Sequence, residues 1–260
     1  MPGPVDAALL AFANTLADAT GAIIRGHFRR GIAVDDKPDQ SPVTIADREA
    51  ERELRRLIEA RFPGDGILGE EFGGTRPDAE RIWVLDPVDG TKSFISGIPL
   101  FGTLIALTEQ GRPTLGVIDQ PISRERWIGA AGHPTTLNGA PIHTRACPTL
   151  ASATLFATAP EMFRGDEAEG FQRLRGSVKL PRYGADCYAY GLLAAGFIDL
   201  VVEASLKPWD YCAMVPVIEG AGGRVTDWDG RPLGLRSGGR VVAAGDAALL
   251  GPARALLSGE

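Results

Sequence analysis

The sequence predicts an α/β (α+β) fold, because three kinds of segment follow one another along its 260 residues. Two amphipathic helical segments come first, and a run of short strand-like segments follows them. After about residue 145, strand-like and helix-like segments alternate, which is typical of helices that cover a sheet. No internal repeat, low-complexity tract or flexible linker interrupts this order.

Two helices are predicted near the start of the chain, over residues 5–28 and about residues 47–61, from apolar side chains at helical spacing. A polar stretch over residues 35–41 lies between them. Pro63 and Gly64 end the second helix, whose apolar side chains fall on a single inward face.

The middle of the chain is predicted to be rich in β-structure. Short apolar runs separated by Gly and Pro, which are typical of strands, lie at residues 81–85, 102–107, 114–118 and 126–130. Asn138 and Gly139 form an Asn-Gly pair, which is a turn signal.

The pattern changes at residues 140–147, where we place a boundary between an N-terminal half, 1–143, and a C-terminal half, 144–260. In the second half, strands are predicted at residues 152–158, 178–181, 198–203 and 241–244. Helices are predicted at residues 171–175, 186–196, 210–221 and 247–257.

Composition excludes several classes of function. The net charge is −6 and no long block of Lys or Arg occurs, which argues against nucleic acid as a partner. The three cysteines lack metal-binding spacing and suit a reducing compartment. The N-terminus lacks the features of a signal peptide, and no run of about 18 uninterrupted apolar residues predicts a membrane span. We therefore expect a cytoplasmic protein with no membrane partner.

The most informative motif is Asp-Pro-Val-Asp-Gly-Thr at residues 86–91, which follows the predicted strand at residues 81–85. Its proline disfavours helix at the residue before it, and its glycine allows a sharp turn. Such a turn can direct Asp86, Asp89 and the Val88 carbonyl at one point, as a hard cation such as Mg²⁺ requires. The same residues are ordinary turn formers, so the motif alone leaves both interpretations open.

Three further acidic signals have structural interpretations when each is taken alone. Glu70 and Glu71 follow an apolar pair and could be solvated loop charges. Thr44 and Asp47 have the spacing of a capping box before the second helix. Asp210 begins a predicted helix and could be its N-cap. It is the combination of these signals that indicates a site.

The Gly-Glu-Glu run at residues 69–71, the motif at residues 86–91 and the Trp-Asp pair at residues 209–210 together resemble the inositol monophosphatase-like, metal-dependent phosphatases. The resemblance covers nearly the whole chain. It implies a layered α-β-α-β-α sandwich, usually a homodimer. It also implies a phosphoric monoester hydrolase that acts on a small phosphate ester with two to three Mg²⁺ ions per active site, with Mn²⁺ as a possible substitute.

By that resemblance, the acidic residues divide into ligand sets. A first Mg²⁺ would be bound by Glu70, Asp86 and the Val88 carbonyl. A second would be bound by Asp86, Asp89 and Asp210, and a third, weaker ion would lie near Glu70. Such ions acidify water and neutralise phosphoryl oxygens, so no phosphoenzyme is needed.

The same resemblance implies the remaining catalytic roles. Thr91 and Glu70 would orient the attacking water, and Asp47 and Thr44 would support them from behind. Backbone amides at Gly90 and Thr91 would stabilise the phosphoryl group.

The substrate pocket implied by the resemblance comprises Asp89, Gly90, Thr91, Gly184, Ala185, Asp186, Glu203 and Asp210. The sequence around residues 184–190 and 203–210 is similar to that of the histidinol-phosphatase branch of the family. Histidinol phosphate carries an ammonium and an imidazole, with which Asp186 and Glu203 could pair. Asp186 could instead cap the helix that follows it.

Three hypotheses for function follow. The first is a histidinol-phosphatase of histidine biosynthesis. The second is an inositol-phosphate or broad sugar-phosphate phosphatase, or a nucleotide-type 3′-phosphatase. The third is a non-catalytic protein that binds a metal or phosphometabolite, against which the complete set of acidic residues argues.

Overall fold

The computed structural model describes residues 3–31, 33–36 and 42–259. The α-helices in these residues are α1 (Ala7–His27), α2 (Ile45–Arg61), α3 (Thr91–Ile95), α4 (Asp166–Arg175), α5 (Asp186–Ala194), α6 (Pro208–Tyr211), α7 (Met214–Gly220) and α8 (Leu250–Ser258). Short 3-10 helices lie at Leu150–Ser152, Pro160–Met162 and Ala247–Leu249.

The strands of the N-terminal half are β1 (Val34–Asp36), β2 (Pro42–Thr44), β3 (Gly66–Gly69), β4 (Gly73–Thr75), β5 (Arg81–Asp89), β6 (Gly102–Glu109), β7 (Arg112–Gln120), β8 (Glu125–Ala130), β9 (His133–Leu137) and β10 (Ala140–Pro141). Those of the C-terminal half are β11 (Thr154–Ala157), β12 (Leu180–Tyr183), β13 (Leu200–Glu203), β14 (Arg224–Thr226) and β15 (Val241–Ala244).

These strands form two main sheets and one short pair. The large sheet has the order β10-β9-β8-β7-β6-β5-β3-β4, and the second sheet has the order β12-β11-β13-β15-β14. Neighbours in the large sheet are antiparallel except β3 and β5, which run parallel. The carboxyl ends of β3 and β5 therefore reach the same edge of the large sheet.

Side chains alternate across β5 because successive residues of a strand point to opposite faces. Trp83 and Leu85 pack with α1 and α2 on one face of the large sheet. Ile82 and Val84 belong to a second core cluster, which includes residues of α5 and α7 on the other face. The large sheet is thus covered by helices on both sides.

The second sheet alternates in the same way. Val201 and Ala243 face the core that α5 and α7 share with the large sheet. Leu200 and Val202 face the opposite side, where they pack with α4 and α8. The layers therefore follow the order helix, sheet, helix, sheet, helix, which confirms the predicted sandwich.

Helix α7 lies very close to the large sheet. A Cβ atom on Gly116 would overlap the Ala213 carbonyl oxygen, and one on Gly129 would overlap the Pro216 carbonyl. Glycine is therefore required at both sheet positions for the two layers to approach this closely.

Helices α1 and α2 and strands β5 to β8 of the large sheet confirm the sequence prediction to within a few residues. The Asn138–Gly139 turn is also confirmed, because both residues have positive φ, 50° and 82°, between β9 and β10. This combination is that of a two-residue type I′ hairpin.

The predicted helix over residues 210–221 is wrong, because the chain forms α6 and α7 with a break at Cys212 and Ala213. Pro216 has no N–H to donate to the Cys212 carbonyl four residues earlier, which interrupts the helical ladder at this point. The short strands β1 to β4, β9, β10 and β14 and helix α3 were not predicted.

Two other predictions are not tested by the structure. The division at residues 143 and 144 falls between β10 and β11 and stays a prediction. Residues 37–41 of the predicted polar stretch lie outside the described residues.

Helix α1 is long and apolar enough to cross a membrane by length and composition alone. In the structure, seven of its residues are buried, among them Leu9, Leu16 and Ile24. These side chains lie in the clusters formed with α2 and the large sheet, so packing within the chain accounts for the apolar face of α1.

Candidate active site

The end of β5 forms one wall of the candidate site. The register of β5 with β6 shifts between Asp86 and Asp89, which is a β-bulge. The Val88 N–H donates to Asp86 Oδ1 at 3.0 Å, and the Thr103 hydroxyl donates to the Pro87 carbonyl at 2.8 Å. The bulge bends the strand at the sheet edge and changes the directions of the two carboxylates.

The turn after the bulge has the conformation that the motif predicted. Gly90 has a φ of 85°, and helix α3 begins at the next residue. The Thr91 hydroxyl donates to the Val88 carbonyl at 3.0 Å and lies 3.4 Å from Asp47 Oδ1. Thr91 is therefore held between the end of β5 and the first turn of α2.

Asp86, Asp89 and Asp210, here called the acidic cluster, each bring one carboxylate oxygen within 4.8 Å of the others. The Cys187 N–H donates to Asp89 Oδ2, and the Lys207 N–H donates to Asp210 Oδ2, both at 2.7 Å. Asp210 occupies the third position of α6, whose N-cap is Lys207, so the interpretation of Asp210 as an N-cap is wrong.

Burial and mutual repulsion raise the pKa values of the acidic cluster. Burial is the largest cause for Asp86 and Asp89 and raises their pKa values well above the usual range. The charge of Glu70 raises the pKa of Asp86 further, and the charge of Asp186 raises that of Asp89 further. Burial also raises the pKa of Asp210 to about 7, against the opposing effect of the Lys207 amide.

Three carboxylates this close, one of them buried and two half-buried, need positive charge to ionise together. Hard oxygen donors are the ligands that Mg²⁺ prefers, so the acidic cluster fits that ion.

Glu70 lies at the adjacent edge of the large sheet, directly after β3. Its N–H donates to the Leu85 carbonyl at 3.2 Å, next to Asp86 on β5. Its carboxyl group contributes charge and a hydrogen bond that raise the pKa of Asp86. The structure therefore brings Glu70 and Asp86 together, as the predicted first ligand set requires.

Thr44 and Asp47 form the predicted capping box at the start of α2. The Thr44 N–H and hydroxyl donate to Asp47 Oδ2 at 2.9 and 2.6 Å, and Thr44 Oγ1 accepts from the Ala46 N–H at 3.2 Å. Because Asp47 Oδ1 lies near the Thr91 hydroxyl, the cap also supports the site from behind. Burial raises the pKa of Asp47, while the hydrogen bonds from Thr44 lower it.

Asp186 lies on the other side of the Gly90 turn. The Ser93 hydroxyl donates to Asp186 Oδ2 at 2.9 Å, and a Cβ on Gly90 would lie 3.1 Å from the Asp186 carboxyl carbon. The N-cap of α5 is Ala185, with no side-chain cap, so the interpretation of Asp186 as a helix cap is wrong. Burial raises the pKa of Asp186, against the hydrogen bond from Ser93.

Glu203 ends β13 and is only 4% exposed. Its Oε1 accepts from both the N–H and the hydroxyl of Thr158, and its Oε2 accepts from the Tyr190 hydroxyl at 2.8 Å. Burial raises its pKa to about 7. Glu203 is thus engaged by protein donors, and its direct contact with substrate stays a prediction.

The other predicted pocket residues lie in the loop before α5. Gly184 has a φ of 82° and is exposed, whereas Ala185 is buried.

The sequence did not indicate three groups that orient the carboxylates of the site. These are the Ser93 hydroxyl and the backbone N–H groups of Cys187 and Lys207. Backbone donors carry no residue-specific signal, so only the fold could reveal the second and third. For Ser93, the sole signal was its position two residues after Thr91.

Comparison with known proteins decides the family. The model of the inositol monophosphatase family matches residues 6–257. The chain belongs to this family. Its members depend on Mg²⁺, in agreement with the acidic cluster, and the chain is accordingly a phosphoric monoester hydrolase of the inositol monophosphatase type.

Three relatives illustrate the similarity. The Arabidopsis thaliana protein named bifunctional phosphatase IMPL2, chloroplastic, is 52% identical over 245 residues, which cover 91% of this chain and 71% of the relative. A histidinol-phosphatase from Mycobacterium tuberculosis is 38% identical over 241 residues, 90% of this chain and 92% of the relative. The structure of an inositol monophosphatase from Zymomonas mobilis matches with a TM-score of 0.88 at 50% identity, covering 95% of this chain and 96% of that one.

Proposed function

We propose that the protein hydrolyses histidinol phosphate to histidinol and phosphate, with two to three Mg²⁺ ions held by Glu70 and the acidic cluster. A homodimer and a cytoplasmic location are proposed with it. The observation that carries the choice of substrate is the position of Asp186, a carboxylate beside both the Gly90 turn and the acidic cluster.

The charge of Asp186 favours a cationic substrate. Burial raises its pKa, and the charge of Asp186 in turn raises the pKa of Asp89. An ammonium or imidazolium group in the pocket would relieve this unfavourable charge, whereas an uncharged polyol would gain only neutral hydrogen bonds. Histidinol phosphate carries both kinds of cationic group, and an inositol phosphate carries neither.

The metal ions and the residues around them have separate roles in the proposed hydrolysis. When bound, Mg²⁺ supplies an acidified water and neutralises the phosphoryl oxygens. The single hydroxyl proton of Thr91 has two acceptors, the Val88 carbonyl and Asp47 Oδ1, so lone pairs on its oxygen remain to accept a hydrogen bond from the attacking water. Asp47 fixes the position of Thr91, and the amides of Gly90 and Thr91 are the proposed donors to the phosphate.

An inositol phosphatase is the second candidate, favoured by the 50% identity to the Zymomonas mobilis inositol monophosphatase. Asp186 could accept hydroxyl hydrogen bonds from such a polyol, so the two candidates differ in charge recognition rather than in metal chemistry.

The test measures phosphate release from histidinol phosphate and from inositol 1-phosphate, with Mg²⁺ and after chelation. We expect a large preference for histidinol phosphate in kcat/KM that requires the metal. The Asp186→Asn variant keeps an acceptor for Ser93 but loses the charge. It should lower kcat/KM for histidinol phosphate about 10- to 100-fold, as loss of a charge-assisted hydrogen bond implies, and change inositol 1-phosphate turnover little.

Asp166→Asn, at an exposed position on α4, is the matched control and should leave both substrates unaffected. Equal or better turnover of inositol 1-phosphate by the wild type would reject the histidinol assignment and leave the metal-dependent mechanism intact.

A further inference from the structure

Glu51 is a fully buried carboxylate on α2, one helical turn after Asp47. Residues four apart on a helix share a face, so Asp47 and Glu51 both point toward the site side of α2. Asp47 lies behind Thr91, as described above. Two of the hydrogen bonds that Glu51 accepts come instead from the loop that carries Glu70.

The carboxylate of Glu51 holds the backbone that follows Glu70. Its Oε2 accepts from the Glu71 N–H at 2.7 Å, and its Oε1 accepts from the Phe72 N–H at 3.2 Å. Arg55 Nε also donates to Oε1, at 2.7 Å, and balances the buried charge. Two consecutive amides of the loop are therefore bound by one side chain.

The backbone that precedes Glu70 is fitted to the same carboxylate. A Cβ atom on Gly69 would overlap the Glu51 carboxyl group, so this position accommodates Glu51 only as glycine. On its other side, the Glu70 N–H is bonded to Leu85 on β5. The Glu70 backbone is thus fixed between α2 and the strand that carries Asp86.

We propose that Glu51 is a positioning residue, which holds residues 69–72 so that the Glu70 carboxylate stays directed at Asp86. This inference rests on the proposed role of Glu70 as a metal ligand. With Asp47 behind Thr91 and Glu51 behind Glu70, one face of α2 supports both groups that would orient the attacking water.

A carboxylate suits this role better than an amide. Glu51 accepts three hydrogen bonds from N–H donors, two of them on Oε1. In the Glu51→Gln variant, one terminus becomes an NH₂ group that faces a donor and cannot accept from it. The variant keeps the volume of the side chain but releases at least one of the loop amides.

The test compares Glu51→Gln with Glu53→Gln, a control on the same helix whose partner is the exposed Arg56. Binding of Mn²⁺ alone is measured by calorimetry, and kcat and KM are measured at saturating Mg²⁺. We expect Glu51→Gln to weaken Mn²⁺ binding and lower kcat by about 10-fold or more, as loss of an outer-shell partner does. KM for the phosphate ester should stay near the wild-type value, and Glu53→Gln should resemble the wild type.

The double variant Glu51→Gln/Glu70→Gln tests whether Glu51 acts through Glu70. It should bind Mn²⁺ no more weakly than Glu70→Gln alone, because coupled residues are not additive. Wild-type Mn²⁺ affinity and kcat in Glu51→Gln, with only a lower unfolding midpoint, would overturn the inference. An unchanged affinity in Glu70→Gln would instead reject the ligand role of Glu70 in the proposed function.

Gly69→Ala provides an independent test if Glu51→Gln fails to fold. It keeps Glu51, but its methyl group must displace the carboxylate. We expect weaker Mn²⁺ binding in this variant as well. Wild-type Mn²⁺ affinity in a folded Gly69→Ala protein would contradict the proposed role of Glu51.

Discussion

Asp199 and the acidic cluster differ in what neutralises their carboxylates. Asp199 and Asp86 are buried, and Asp89 and Asp210 are half-buried. The side chain of Asp199 is 1% exposed and accepts two hydrogen bonds from Arg145, at 2.7 Å each, and one from the Thr154 N–H at 2.8 Å. The acidic cluster has backbone amides as donors, and the charges that act on it are those of carboxylates, opposed by Lys207 at Asp210.

The pKa values of the two regions therefore move in opposite directions. Burial acts to raise the pKa of Asp199, but the bonds from Arg145 and Thr154 outweigh it and lower the pKa. In the acidic cluster, burial and the neighbouring carboxylates act together and raise the pKa values. A buried carboxylate with its own cation stabilises the fold, whereas a buried group of carboxylates without one is suited to bind a cation from solution.

The largest expected effect is on catalysis and distinguishes the two regions directly. Asp89→Asn should lower kcat/KM by more than about 100-fold, beyond what loss of an outer-shell partner costs. Asp199→Asn should leave kcat/KM within about twofold, since it lies outside the site. The measurement is Mg²⁺-dependent phosphate release by both variants; unchanged turnover in Asp89→Asn would remove the acidic cluster from the mechanism.

The second prediction concerns stability in the absence of metal. The pKa of Asp210 is about 7 in the folded protein against 3.8 ordinarily, so its contribution to stability is complete below pH 3.8 and is lost as the pH rises through 7. In EDTA, the unfolding midpoint should therefore decrease as the pH is raised from about 5, which lies between the two pKa values, to about 8, which lies above both. Glu203, whose pKa is also about 7, adds to this slope.

Mg²⁺ should reverse that destabilisation, by about 2.7 kcal/mol at 100 times its dissociation constant. The measurement is thermal unfolding across pH with and without Mg²⁺. In Asp210→Asn, both the decrease of the unfolding midpoint with pH and the stabilisation by Mg²⁺ should be smaller than in the wild type. An unfolding midpoint in EDTA that does not change with pH would contradict the repulsion described for the acidic cluster.

The third prediction is a moderate loss of stability in the region that has its own cation. Asp199→Asn should lower the free energy of unfolding by about 1 kcal/mol. This value is in the low part of the range for hydrogen bonds between charged groups, because the Arg145 side chain is 44% exposed. The contribution of Asp199 is present at neutral pH and is lost as the pH falls through its lowered pKa. Denaturant unfolding of the variant and the wild type should therefore converge in acid; a constant difference would contradict this.

The smallest expected effect is at the capping box. Thr44→Ala removes an N-cap and should cost about 1 kcal/mol of unfolding free energy. It should also lower kcat modestly, because Asp47, which lies behind Thr91, loses the Thr44 hydroxyl and keeps only the N–H of residue 44 as a donor from that position. Thr44→Ser, which keeps the hydroxyl, should restore both in denaturant melts and turnover assays. Failure of Thr44→Ser to rescue kcat would separate the cap from the site.

The parts of the site that are local in sequence could be predicted, and those that depend on the packing of distant elements could not. The motif at residues 86–91 is contiguous, and the pairing of Thr44 with Asp47 follows from helical spacing. The contact between Ser93 and Asp186 joins residues 93 positions apart. It also depends on a φ of 45° at Asp186, which no spacing rule predicts.

The same distinction applies to the fold and to Glu51. Periodicity predicted α1, α2 and the alternating strands, because each buries one face along its own length. It did not predict the break between α6 and α7, although Pro216 was a visible signal for it. The sequence alone does not single out Glu51, because its spacing to Asp47 is also that of an ordinary amphipathic helix and its amide partners lie 20 and 21 residues away.

The acidic cluster takes Asp86 and Asp89 from the large sheet and Asp210 from α6, so it joins that sheet to the helix packed against it. An ion bound there would link the end of β5 to α6, two elements that are far apart in the sequence. A substitution that shifts β5 relative to α6, even one far from the pocket, would therefore weaken metal binding.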